Sequence, residues 1–336
     1  MTITGAIDIH AHIVLEAAFG TAGTAGPELA EDDHGVPYFR IGGYTMKPMR
    51  YRGSVFMDLD RRLERMDRDG IAIQLLSPNP LTMMHGIPTT DAIRFCRAHN
   101  EAMADTVAQH PDRFLGGIAL PMQDVDAAIA ELERSVRQLG LCAPYTGTDF
   151  GYELDDARLD DFYRAVVDLD VPLFVHPAST DGIGSIPPRL KRFDLSLLVG
   201  YAFDETLAVA ALILGGVTQR HPDLDICVSH GGGTMALFAE KFQFACDTRP
   251  WAPDHLRDGG FVSHLRRLWF DSHMDAAPAL ELLRSTVGDH RVVFGTNFGG
   301  WDCGGPHARD PFTATLEGNA RRLLRLDGIN GVNPRG

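Results

Sequence analysis

With 336 residues, the chain is long enough for two ordinary domains or for one large α/β barrel. Its 31 Lys and Arg against 45 Asp and Glu leave a formal net charge of −14, a field that repels phosphate backbones and anionic lipid and argues against nucleic-acid and membrane partners. Hydrophobic residues at 44% and charged residues at 23% exclude disorder as a global description. In chain order, Gly5 to His10 reads as a short strand. Leu59, Leu63 and Met66 recur at helical spacing, which predicts a helix over 58–69 closed by Gly70. Residues 71–76 read as a strand stopped by Ser77-Pro78-Asn79-Pro80, 90–110 as a helix and 115–120 as a strand. Asp124 can cap a helix whose Ile129, Leu132, Val136 and Leu139 form one stripe, with Gly140 at its end. A short strand at 141–143 and a helix at 156–168 complete the first half.

The second half repeats the rhythm, with strands at 172–176, 224–229, 268–271 and 291–294. Helices are predicted at 195–214, 234–247, 276–287 and 311–326. Eight apolar strands, mostly separated by helices, imply a parallel sheet buried on both faces. A single closed (β/α)8 barrel over 1–336 fits that count better than an open sheet, which stays as the alternative. Two stretches break the rhythm: the Gly-rich 15–57, and 177–193. Both leave the C-terminal ends of strands, where barrel enzymes build their sites, so 15–57 reads as an inserted substrate-binding or lid segment. No apolar run comes near a bilayer span, and the start MTITGAIDIHAH lacks a basic, apolar leader. The 5 cysteines are scattered without a CxxC pair, which argues against disulfides and thiolate zinc and for a reducing cytoplasm.

Histidine is the unusual residue, with 14 copies. His10 and His12 follow the first strand, His176 the fifth and His230 the sixth. In a barrel those strand ends converge on one mouth. The period of two in His10-Ala11-His12 puts both rings on one face of extended chain, where they can grip a divalent cation with His176 as third ligand. Neutral imidazole suits zinc and related transition metals. Each histidine taken alone is an ordinary polar residue; the joint placement carries the argument.

IDIHAH, LFVHP, ICVSHGGG and VVFGTN resemble the metal-dependent amidohydrolase superfamily, and within it the branch named for aminocarboxymuconate semialdehyde decarboxylase. The resemblance extends to RLERMDRDGIAIQLLS, RFLGGIALPMQD and the final GNARRLL, so it spans most of the chain. It implies a distorted TIM barrel with long insertions at the C-terminal face. It also implies His10, His12 and His176 as ligands of Zn2+ or Mn2+, and His230 as the catalytic histidine. Asn297 stands where the branch has a metal-binding, proton-carrying aspartate. An amide can offer a carbonyl oxygen but moves no proton, so weaker metal affinity is expected. Asp302, five residues on, is the candidate carboxylate to stand in sterically.

Arg50 matches a branch arginine that grips a substrate carboxylate, and Lys241 occupies the place of one that enters the neighbouring subunit's site, which implies a homodimer. Phe298 and Trp301 can wall an aromatic substrate. The glycines 231–233 read as relief of crowding after His230, with no phosphate implied. The expected activity is non-oxidative decarboxylation of a small aromatic or muconate-like carboxylic acid. Hydrolysis of an amide, lactone or activated C–C bond is the alternative on the same residues, and a barrel that has lost its chemistry is the third.

Overall fold

The computed structural model describes residues 5–178, 188–274, 276–300, 302–303 and 310–326. Eight strands form one parallel sheet in the order of the chain: β1 (Ala6–Ile13), β5 (Ile71–Pro78), β6 (Phe114–Ala119), β7 (Ala143–Thr146), β8 (Leu173–Val175), β9 (Ile226–Val228), β10 (Trp269–Asp271) and β11 (Val292–Val293). Ile9 N donates to Phe294 O at 2.9 Å, so the last strand returns to the first and the sheet is nearly closed. The Tyr145 hydroxyl, on the fourth barrel strand, donates to Ile9 O across the interior. Ile7, Ile9, Phe174 and Trp269 pack with it there.

The helices wrap this ring. They are α1 (Leu59–Asp69), α2 (Thr89–Gln109), α3 (Val125–Arg137), α4 (Asp160–Asp168), α5 (Tyr201–Leu214), α6 (Val217–Arg220), α7 (Met235–Thr248), α8 (Gly260–Leu265), α9 (Ala277–Val287) and α10 (Pro311–Leu323). Asp124 caps α3 as expected, accepting from Ala127 N; Asp58, counted within the predicted helix, is the cap of α1 and accepts from Arg61 N, so each supplies an acceptor to an open first turn. Gly70 ends α1 in the left-handed region at φ 83°.

Three expectations need correction. The fourth strand lies at Ala143–Thr146, two residues beyond the predicted start, because Leu141 is a core residue of the preceding turn. The 15–57 stretch is no irregular excursion. It holds an antiparallel sheet of β2 (Glu28–Glu31), β3 (Pro37–Ile41) and β4 (Tyr44–Met46), with a small core in which Phe39 and Tyr51 meet Phe95 of α2. The third concerns apolar length. The helical run Ser196–Leu214, whose first turn is a π-helix, is 19 residues long and by length and composition apolar enough to cross a membrane. It lies along the barrel and buries Glu205, Val209, Leu212 and Ile213 against it.

Candidate active site

The strand ends bring His10, His12, His176 and His230 together. A break in register between Asp8 and Ala11 interrupts the alternation of β1, so that His10 and His12 both reach the mouth beyond the interior Ile7 and Ile9. The ring centroids of His10, His12, His176 and His230 lie 4.8 to 5.1 Å apart where they are neighbours.

The hydrogen bonds of the rings fix what they present. His10 Nδ1 donates to Asp271 Oδ2 at 2.7 Å, His12 Nδ1 to the Pro78 carbonyl at 3.0 Å, and His176 Nδ1 to the Pro177 carbonyl at 3.1 Å. Each Nδ1 therefore holds the proton, and each Nε2 keeps a lone pair. The Nε2 atoms of His10 and His12 face each other at 3.0 Å, and His176 Nε2 is buried without a partner. Facing lone pairs repel unless a cation or proton lies between them. Burial, and the neighbouring imidazoles after it, hold His10 and His176 well below the ordinary histidine range. Burial brings His12 down to about 3. Protonation is therefore not the remedy, and the donor set fits a metal ion held by three neutral imidazoles, whose ligand nitrogens all lie within 4.8 Å of one another.

His230 stands beside them in a different state. Burial alone lowers its affinity for a proton, but the Glu205 carboxylate, 2.6 Å from Nδ1, overrides this and pushes it up to about 9. Glu205 is fully buried and also accepts from the Ser229 hydroxyl at 2.6 Å. The three glycines after His230 all have positive φ, and a Cβ on Gly233 would lie 2.1 Å from the Ala202 carbonyl oxygen. The glycines do relieve crowding.

Sequence reasoning missed Glu205, Asp271 and His273. Asp271 ends the seventh barrel strand and His273 follows it by two residues, so the rule that found the histidines also points to them. Asp271 accepts from His10 and from the backbone of Gly231 and His273, which pins the first and sixth strand ends to the seventh. Glu205 announces itself only as a charge inside an apolar helix. His85 was also passed over. Gly147 N donates to its Nε2 at 3.2 Å, leaving a buried Nδ1–H with no partner.

The other predicted residues fare differently. Asn297 Nδ2 donates to Asp302 Oδ1 at 2.6 Å. Arg50 is exposed in the segment that follows β4, lining a surface pocket with Leu29, Met49 and Arg52. No hydrogen bond or ion pair among the described residues joins it to the histidines. Lys241 is exposed on α7, its ammonium 5.7 Å from the Phe238 ring. Phe298 is a core ring rather than a pocket wall, with the Arg62 and Arg65 guanidinium groups 5.1 and 5.5 Å from its centre. Trp301 lies outside the described residues.

Comparison with known proteins agrees with this arrangement. The chain is 30% identical over 331 residues to gamma-resorcylate decarboxylase of Rhizobium radiobacter, covering 90% of this chain and 96% of that protein. It is 30% identical over 242 residues to 2-amino-3-carboxymuconate-6-semialdehyde decarboxylase of Dictyostelium discoideum, covering 72% of this chain and 66% of that one. A dihydroxybenzoic acid decarboxylase of a Polaromonas species, solved with manganese and 2-nitroresorcinol, superposes with a TM-score of 0.73 at 24% identity, covering 96% of this chain and 98% of that one. Residues 7–326 match the amidohydrolase family model. With that span, the nearly closed parallel ring and the histidines at its mouth, the chain belongs to the amidohydrolase family.

Proposed function

We propose that the protein is a metal-dependent, non-oxidative decarboxylase of a small aromatic or muconate-like carboxylic acid. The observation that carries this reading is the set of three Nε2 lone pairs converging beside a charged His230–Glu205 pair. His10, His12 and His176 would hold Zn2+ or Mn2+. A bound cation supplies Lewis-acid stabilisation of the negative charge that builds as the carboxylate leaves. His230, kept protonated by Glu205, delivers the proton that replaces carbon dioxide on carbon. Asp271 and the Pro78 and Pro177 carbonyls keep the three ligand rings in one tautomer.

The inserted sheet at 15–57 acts in this reading as a cover for the mouth. Tyr44 of β4 is close enough to act electrostatically on Tyr201, whose ring is 6.2 Å from His176. The assigned compartment is the cytoplasm, supported by cysteines that are all free thiols.

A panel of hydroxybenzoic and carboxymuconate-type acids should release carbon dioxide with the metal-loaded protein. Release should stop with a chelator and return with added Zn2+ or Mn2+. Conversion of amides or lactones, without carbon dioxide from any acid, would replace this reading with hydrolysis.

The same reading takes a second copy of the chain as partner. Helices α5 and α7 pack side by side; α5, with the π-helical turn before it, leaves Leu198, Phe203 and Leu207 exposed, and α7 leaves Leu237 and Phe244 exposed, with Phe244 at 69%. Lys241 projects from this face. Several large apolar side chains left exposed on two adjoining helices support an interface here. The native protein should sediment as a dimer and the Phe203→Asp/Phe244→Asp variant as a monomer with unchanged circular dichroism. A monomeric native protein would remove the homodimer from the account.

A further inference from the structure

The eighth strand leaves the barrel through a tight reversal. Asn297 is in the left-handed region at φ 48°, which asparagine tolerates better than most residues, and Gly300 N donates back to Asn297 O at 2.7 Å. Gly300 also keeps the space open, since a Cβ there would lie 2.6 Å from Asn297 Nδ2. The reversal carries Asp302 onto the Asn297 side chain, where its Oδ1 accepts from the amide nitrogen at 2.6 Å. The second oxygen, Oδ2, is 3.4 Å from His273 Nε2. The His273 ring is 5.7 Å from that of His10 and 5.4 Å from that of His230.

Two consequences follow from ordinary hydrogen-bond chemistry. A carboxylate only accepts, so it selects the nitrogen end of the Asn297 amide and leaves the carbonyl oxygen as the end turned elsewhere. The formal negative charge absent from position 297 is then present one hydrogen bond away. Two carboxylates at that spacing would repel, whereas one carboxylate and one amide bind each other, so the identities of residues 297 and 302 belong together.

We propose that Asp302 is a positioning residue for the metal centre: it holds the Asn297 amide by its nitrogen, leaving the carbonyl oxygen as the end available to a cation, and returns the negative charge that position 297 lacks. This rests on the metal site of the proposed function. It does not depend on which acid is the substrate.

Manganese binding to the metal-free protein, read by the electron paramagnetic resonance of free Mn2+ without substrate, tests it. Asp302→Asn should weaken binding at least tenfold while the melting temperature of the metal-free protein stays the same. The exchanged variant Asn297→Asp/Asp302→Asn, which again carries one carboxylate and one amide, should bind within about threefold of the native protein. Binding by Asp302→Asn within twofold of native would overturn the proposal, as would an exchanged variant no better than Asp302→Asn. If Asp302→Asn fails to fold, the exchanged variant alone decides, by the same threefold limit. Failure of every acid to release carbon dioxide, with this binding pattern intact, would sink the decarboxylase reading and leave the role of Asp302 standing. A native protein that binds no manganese would overturn both.

Discussion

His230→Ala should lower the rate of carbon dioxide release by roughly 10²- to 10⁴-fold, the usual contribution of a positioned proton donor, while metal content per chain stays at the native value. The two halves of this expectation come from separate parts of the site. His230 takes its orientation and its proton from Glu205 and has no hydrogen bond to the other three rings. Those rings are held by Asp271, Pro78 and Pro177, and none of these anchors passes through His230. Deleting its imidazole removes the proton donor and leaves the ligand set in place. Metal analysis of the purified variant, beside single-turnover rates, checks both halves. A variant with native turnover would strip His230 of its role.

Arg62→Ala should destabilise the protein by about 3–5 kcal/mol, as loss of one partner from a buried charged network does. The side chain is fully buried. Its guanidinium donates to the carbonyls of Val55 at 2.8 Å and His12 at 2.5 Å, and to Gln74 Oε1 at 2.9 Å. Gln74 in turn donates to Asp8, which also accepts from the Thr296 hydroxyl. Burial draws the guanidinium down to about 9 and raises the Asp8 carboxyl to about 6, so each charge is kept in the interior at a cost. The alanine variant leaves three acceptors unpaired and a void beside Phe298. Arg62→Lys restores one charge but cannot reproduce the fork of donors, so it should recover only part of the loss. Denaturant midpoints of the three proteins measure this, and a loss below about 1 kcal/mol for alanine would contradict the account.

The barrel was legible because its signals are local. Apolar runs of strand length, the capping aspartate at 124 and glycines at helix ends are written within a few residues of where they act. The ligand histidines were legible for a related reason: position at a strand end is a local property, and the ring geometry turns it into proximity. Their supports were not. Asp271 lies 261 residues from His10 and Glu205 lies 25 from His230, and nothing in the chain near either acid names its partner. The inserted sheet was hidden for another reason. Glu28–Glu31 and Tyr44–Met46 are short, half-exposed strands that alternate too briefly for a period to stand out among glycines. Phe298 shows the limit of residue type as evidence, since an aromatic beside the mouth turned its ring into the core.

The turn of Gly231, Gly232 and Gly233 bears on how this enzyme can be dissected. Alanine is ordinarily the mildest probe, subtracting a side chain and adding nothing. Here it adds a methyl group where Met274, Phe270 and the Ala202 carbonyl already fill the space, on a backbone that disfavours it. An inactive glycine variant therefore reports a displaced His230, and an alanine scan through this segment would mistake a hinge pin for a reagent.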